Sequence, residues 1–105
     1  MTPLAQRTYE LLRTVPAGRV TTYKALADAL GTRAYRAIGQ FMKNNPDAPH
    51  TPCHRVVASD GSLGGFMGKK EGTELAKKIK LLASEGVHIA SNKIHNFDSV
   101  FYSFS

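Results

Sequence analysis

Two short amphipathic segments that meet at a glycine constrain this chain more than any other feature. The first, TTYKALADALG, opens on Thr21-Thr22, either of which can cap a helix, and closes on Gly31, which accepts the left-handed conformation that ends one. The second, RAYRAIGQFMKNN, places Ala34, Ile38, Phe41 and Met42 on one stripe and Arg36, Gly39, Gln40 and Lys43 largely on other faces. Upstream, Thr2-Pro3 pairs a hydroxyl cap with a proline at the first helical position, and Leu4, Leu11, Leu12 and Val15 then share a face directed at the core. The pattern predicts a helix-turn-helix whose second member is basic on its outer side.

The remaining punctuation is irregular. Pro16-Ala17-Gly18 breaks the first helix, and prolines 46, 49 and 52 mark a loop. Arg55–Ala58 reads as a short strand followed by a turn at Ser59-Asp60-Gly61. GSLGGFMGKK holds too many glycines for regular structure and suggests either a mobile loop or a close backbone approach to a ligand. A last helix capped by Thr73 should turn Leu75, Ile79 and Leu82 inward and Lys77, Lys78 and Lys80 mostly outward, ending at Glu85-Gly86, with a short strand at Val87–Ile89. The aromatic tail IHNFDSVFYSFS fits helix, strand or a crossing segment equally well. The expected fold is mainly α: a compact helical domain over residues 1–89 with a helix-turn-helix, winged-helix-like, and short strands, followed by a tail over 90–105.

Fourteen Lys+Arg against eight Asp+Glu give a net charge of +6 and a pI near 9.7, a balance that favours a polyanionic partner such as nucleic acid over solubility alone. No apolar run approaches the roughly 20 residues needed to cross a bilayer, and the N-terminus lacks a signal-peptide pattern, so no membrane association is expected. A single cysteine rules out an internal disulfide and fits a reducing, cytoplasmic setting.

That cysteine stands in PCHRVV, with His54 and Arg55 directly behind Cys53. Nearby positive charge or a histidine raises the thiolate population, whereas an inert buried cysteine usually has apolar neighbours. On an extended segment Cys53 and His54 would point to opposite sides, so contact requires a turn or a bridging water. Asp60, Glu71 and Glu85 are all available to orient the imidazole, and spacing does not choose among them. HTPCH brings His50, Cys53 and His54 together, but His88 and His95 do not complete the paired spacing of structural zinc, so no metal is expected. Gly68-Lys69 is followed by Lys70 instead of Ser or Thr, so the glycine loop does not match a phosphate-binding loop.

Taken in order, TTYKALADALG, YRAIGQFMKNNP, PCHRVV, the glycine loop and LLASEG resemble the C-terminal, DNA-binding and catalytic domain of the O6-alkylguanine-DNA alkyltransferases over residues 4–89. The resemblance implies that Cys53 accepts an alkyl group from O6-alkylguanine in double-stranded DNA, once per molecule and without a cofactor. His54 would draw the thiol proton through a water, Glu85 would orient His54, Asn45 would hold the active-site turn, and Arg55 would be mainly structural. Tyr23 would steer the flipping phosphate and assist proton transfer to the leaving guanine. Arg36 would fill the vacated place in the base stack of a flipped nucleotide. Thr22, Ala37, Gly39, Gln40 and Lys43 would complete the minor-groove surface of a monomer, with Tyr35 and Gln40 bulkier than a close approach favours. Phe66, Met67 and Gly68 would form the base pocket.

The chain departs from the family in three ways. By this reading the family's common N-terminal domain, in some members a zinc-bearing one, is not expected here, and no zinc with it. Phe66 and Met67 stand where many members have tyrosine and serine, so Phe66 can stack on the base but cannot donate to O6. The stretch from Gly68 to Lys78 is also longer than usual. Two other functions fit the same features: an alkyltransferase-like protein that flips and flags the lesion without transfer, a group that usually carries tryptophan or alanine at the cysteine position, and a helix-turn-helix regulator binding specific sequences in the major groove.

Overall fold

Helix α1 (Pro3–Leu12) begins where the Thr2 hydroxyl accepts a hydrogen bond from the Ala5 amide at 3.2 Å. The structure, a computed structural model, describes residues 2–63 and 73–104; the expectations for Phe66, Met67, Gly68, Lys69, Lys70 and Glu71 lie outside the described residues. The buried face of α1 is Ala5, Thr8, Tyr9 and Leu12, with Leu4 and Leu11 half-buried at its margins. Tyr9, not singled out from the sequence, donates its hydroxyl to the Phe41 carbonyl at 2.7 Å and so ties α1 to the third helix.

Helix α2 (Tyr23–Leu30) is capped by Thr22, whose hydroxyl accepts from the Ala25 amide at 3.0 Å, and it stops at Gly31 with φ +69°. That dihedral is the left-handed region in which a Cβ is penalised. Helix α3 (Tyr35–Lys43) follows after a short turn. The three helices pack around Leu12, Val15, Leu26, Leu30, Ile38 and Met42. This is the predicted helix-turn-helix, with α1 closing its back.

Strand β1 (Thr21–Thr22) pairs in parallel with β2 (Val56–Val57), Thr21 opposite Val56 and Thr22 opposite Val57. The pairing fixes the N-terminus of α2 beside the segment that follows Cys53. The strand expected over Arg55–Ala58 is therefore shorter, because Cys53–Arg55 forms a turn of 3-10 helix. Cys53 and His54 consequently do not lie on extended backbone.

Helix α4 (Thr73–Ser84) corrects two expectations. Lys78 is fully buried and Ile79 is 37% exposed, the reverse of the predicted orientation. Leu75, Lys78 and Leu82 share one face at i, i+3 and i+7, so the inward stripe runs through a lysine. Gly86, φ +88°, turns the chain out of the helix. The strand expected at Val87–Ile89 lies further on: β3 (Ile89–Ala90) pairs antiparallel with β4 (Lys93–Ile94), while Val87 joins the core. Ser91 and Asn92 between them have φ +51° and +62°, the pair of positive dihedrals that suits a tight hairpin.

The tail continues as a one-turn helix, α5 (Phe97–Val100), and then runs along Val20. The Val20 amide donates to the Val100 carbonyl at 2.9 Å and the Tyr102 amide to the Val20 carbonyl at 2.7 Å. Val20, Val57, Leu63, Leu82, Val87 and Ile94 form a second apolar cluster beneath this hairpin, while Tyr102 and Phe104 rest on the first. Among the described residues no helix is long and apolar enough to cross a membrane.

Candidate active site and nucleic-acid interface

The turn that carries Cys53 is held from both sides. Asn45 donates its side-chain amide to the Thr51 carbonyl at 2.7 Å, and its carbonyl oxygen accepts from the Asp47 amide at 3.0 Å. The Thr51 hydroxyl donates to Asp47 Oδ2 at 3.0 Å and accepts from Arg13 Nε at 2.9 Å. The Cys53 amide in turn donates to the Thr51 carbonyl at 2.9 Å. Arg13, Asp47 and Thr51 were not candidates, and no local signal marks them, since Arg13 and Thr51 are 38 residues apart.

Cys53 and His54 are both buried, and the 3-10 turn presents them consecutively. His54 Nε2 lies 3.0 Å from Glu85 Oε2. The same carboxylate accepts from Arg55 Nε at 3.0 Å and from Arg55 Nη2 at 2.6 Å, a two-point pairing, while Arg55 Nη1 donates to the Val15 carbonyl at 2.7 Å. Of the three carboxylates left open by spacing, Asp60 is exposed and accepts from the Ser62 amide, Glu71 lies outside the described residues, and Glu85 reaches the imidazole. With Nε2–H directed at the carboxylate, Nδ1 keeps its lone pair as an acceptor. That atom is buried and has no hydrogen-bond partner among the described residues.

The electrostatics match a thiol that needs a base. Burial raises the Cys53 thiol above its ordinary range, opposed by a hydrogen bond from Asn45 and by the Lys78 charge. Burial lowers His54, against the pull of Glu85, so the imidazole is neutral over a wider pH range than usual. Burial would raise Glu85, but the hydrogen bonds from Arg55 and His54 outweigh it and keep the carboxyl below its ordinary value.

Lys78 adds a cation under the site. Its ammonium donates to the Val56 carbonyl at 2.8 Å and the Leu63 carbonyl at 2.6 Å, and burial depresses it to about 8, opposed by Cys53. Thus α4 supplies both Lys78 and, just past its end, Glu85.

Tyr23, the first residue of α2, is half-buried against the cluster that contains Cys53; burial, then the nearby thiol, raises its phenol. On α3, Arg36, Gln40 and Lys43 are exposed, while Ala37 and Gly39 are half-buried. Thr22 is buried, its hydroxyl occupied by the α2 cap, so its side chain serves the fold. The structure therefore gathers Cys53, His54, Glu85, Asn45 and Tyr23 around one buried centre. It sets Arg36, Gln40 and Lys43 on a separate outer face. Phe66, Met67 and Gly68 fall outside the described residues.

Residues 3–87 match the family model described as the DNA-binding domain of 6-O-methylguanine DNA methyltransferase. A methylated-DNA–protein-cysteine methyltransferase of Pyrobaculum aerophilum is 53% identical over 69% of this chain and 45% of its own length. A bifunctional methyltransferase/endonuclease of Picrophilus torridus is 40% identical over 87% of this chain and 32% of its own. The chain thus spans a third to a half of these relatives' length. Among solved structures, Mycobacterium tuberculosis OGT in complex with DNA superposes with a TM-score of 0.71 at 36% identity, over 81% of this chain and 50% of that one. S. pombe Atl1, in complex with damaged DNA containing O6-carboxymethylguanine, superposes with a TM-score of 0.81 at 26% identity, over 98% and 97% of the two chains. The cysteine turn on its carboxylate-held histidine, the helix-turn-helix beside it and these matches give one conclusion: the chain belongs to the 6-O-methylguanine DNA methyltransferase family, of which it carries the DNA-binding domain.

Proposed function

We propose that this protein repairs alkylated DNA by transferring the alkyl group from O6-alkylguanine to its own Cys53, once per molecule. The observation that carries this reading is the histidine. His54 is tied through Nε2 to Glu85, and its other nitrogen is a buried acceptor one residue from a protonated thiol. A base so placed takes the thiol proton, directly or through one water, only as the sulfur attacks. The new S–C bond forms as the C–O6 bond breaks. The proton needed by the departing guanine comes from Tyr23, whose raised phenol keeps it protonated at neutral pH.

The target atom is buried in a stacked duplex, so the nucleotide has to leave the helix. Arg36 takes its place in the stack, and α3 lies in the minor groove with Gly39 and Ala37 nearest the backbone. The basic chain provides phosphate attraction with little sequence preference. The protein works as a monomer.

A second reading has an observation of its own. Atl1, solved on DNA with O6-carboxymethylguanine, matches nearly end to end, which fits a protein that binds the lesion without removing it. Transfer separates the two. After incubation with a duplex containing one O6-methylguanine, digestion of the DNA should show the lesion converted to guanine, in an amount equal to the protein added. A Cys53→Ala variant should bind the duplex and leave the lesion intact. Lesion binding without conversion by the unmodified protein would support the second reading.

A further inference from the structure

Among the described residues, Tyr35 and Ile79 are the only large apolar side chains that stand exposed. Ile79 stands on α4, away from the helix-turn-helix. Tyr35 is the first residue of α3, immediately before Arg36, and is 46% exposed. Its side chain lines a shallow hollow with Asp28, Gly31, Thr32 and Arg33 and takes part in none of the ring pairs among the described residues. Its hydroxyl has no hydrogen bond among the described residues, and the ring pairs there are Tyr9–Phe41, Phe97–Phe101 and Tyr102–Phe104.

The surroundings of Tyr35 have a definite shape. At about 100° per residue, Gly39 projects between Tyr35 and Arg36, one turn further along the helix. A Cβ built on Gly39 would meet nothing within 4 Å. A glycine within a helix is destabilising relative to alanine, and here no neighbour among the described residues requires the missing side chain. On the helix surface Gly39 is thus an uncovered stretch of backbone one turn beyond Tyr35 and Arg36, while the Tyr35 side chain lines the hollow shared with Asp28, Gly31, Thr32 and Arg33. Arg33, Arg36 and Lys43 are exposed along this stretch, and the nearby Asp28 is already paired with Lys24 at 2.8 Å. An uncompensated positive rim around an apolar ring matches a nucleotide strand: phosphates for the cations, and a sugar or base face for the ring.

We propose that Tyr35 is a second wedge beside Arg36, its ring packing face-on against the nucleotide adjoining the flipped one while the strand passes over Gly39. This deepens the repair reading and rests on it. A flipped nucleotide leaves its neighbour with an exposed face, so the contact forms on flipped DNA and not on intact duplex. Tyr35 thereby contributes to lesion recognition more than to general affinity.

The test uses the full chain carrying Cys53→Ala, so that binding reaches equilibrium without transfer. Affinity is measured for matched duplexes with and without one O6-methylguanine. Tyr35→Ala should weaken lesion binding roughly tenfold, the scale of a lost base–aromatic stack. Binding to undamaged duplex should change less than twofold, and the salt dependence should stay the same because no charge is removed. Tyr35→Phe should keep the parent's lesion affinity. Equal losses on both duplexes, no loss on either, or a Tyr35→Phe variant as weak as Tyr35→Ala would each overturn the proposal. A parent without any lesion preference would contradict the repair reading itself, whereas a preference that survives Tyr35→Ala contradicts only the role of Tyr35.

Discussion

The buried cysteine turn and the outer face of α3 lie on the same small domain and are built on opposite terms. Around Cys53 nearly every polar atom has a partner: Arg55 spends its guanidinium on Glu85 and Val15, Asn45 on Thr51, and Lys78 on two carbonyls. Along α3, Arg36, Gln40 and Lys43 are exposed, and Gly39 leaves room that none of the described residues fills. The first region is specified by the fold, which holds its polar side chains in fixed places around the thiol. The second contributes little to the fold, which leaves its side chains available to a partner. Substitutions should therefore cost stability in one region and binding in the other.

Removing the carboxylate puts that contrast to its hardest trial. Glu85→Ala leaves Arg55 and His54 facing each other with no anion between them in a largely buried place. A loss of about 3 kcal/mol in urea unfolding is expected, together with slower transfer. Unchanged stability would mean that the fold does not hold the site.

Lys78→Met sharpens the same point through pH. Two carbonyls lose their donor, at a cost of about 2 kcal/mol. The folded value near 8 lies below the usual 10.5, so between these pH values the unfolded chain binds a proton that the folded one does not. Lys78 accordingly makes stability rise with pH across that window and adds no pH dependence below it. The methionine variant should lack this rise when urea midpoints of the two proteins are compared from pH 7.5 to pH 10.5.

The smallest effect belongs to α3 and should change sign between two measurements. Gly39→Ala should stabilise the fold by about 0.5–1 kcal/mol, because the added methyl meets nothing and the helix gains propensity. The same variant should bind O6-methylguanine duplex more weakly. A stabilised variant with undiminished lesion binding would show that the strand does not pass over this position.

What was legible in the sequence was local. Thr2, Thr22 and Gly31 act through bonds three residues away or through their own dihedral, so caps and stops could be read directly. His54 and Arg55 were visible beside Cys53, but their joining at Glu85 is made 30 residues away and came from the family resemblance. Lys78 runs against the sequence expectation because a charged residue on a helix ordinarily faces water, although its spacing from Leu75 and Leu82 carries the inward signal. Arg13 and Thr51, and the parallel pairing of Thr21 with Val56, leave no trace in composition or period. The tail was illegible for a related reason: its strands are two residues long, and its aromatic residues find their places only on Val20 and the two cores.

Transfer to Cys53 is the central claim, and intact-protein mass tests it most directly. After incubation with excess duplex containing one O6-methylguanine, the protein should gain the mass of one methylene. The gain should saturate at one per molecule and map by peptide analysis to Cys53. An unchanged mass alongside clear lesion-selective binding would contradict transfer and leave a protein that recognises the lesion without repairing it.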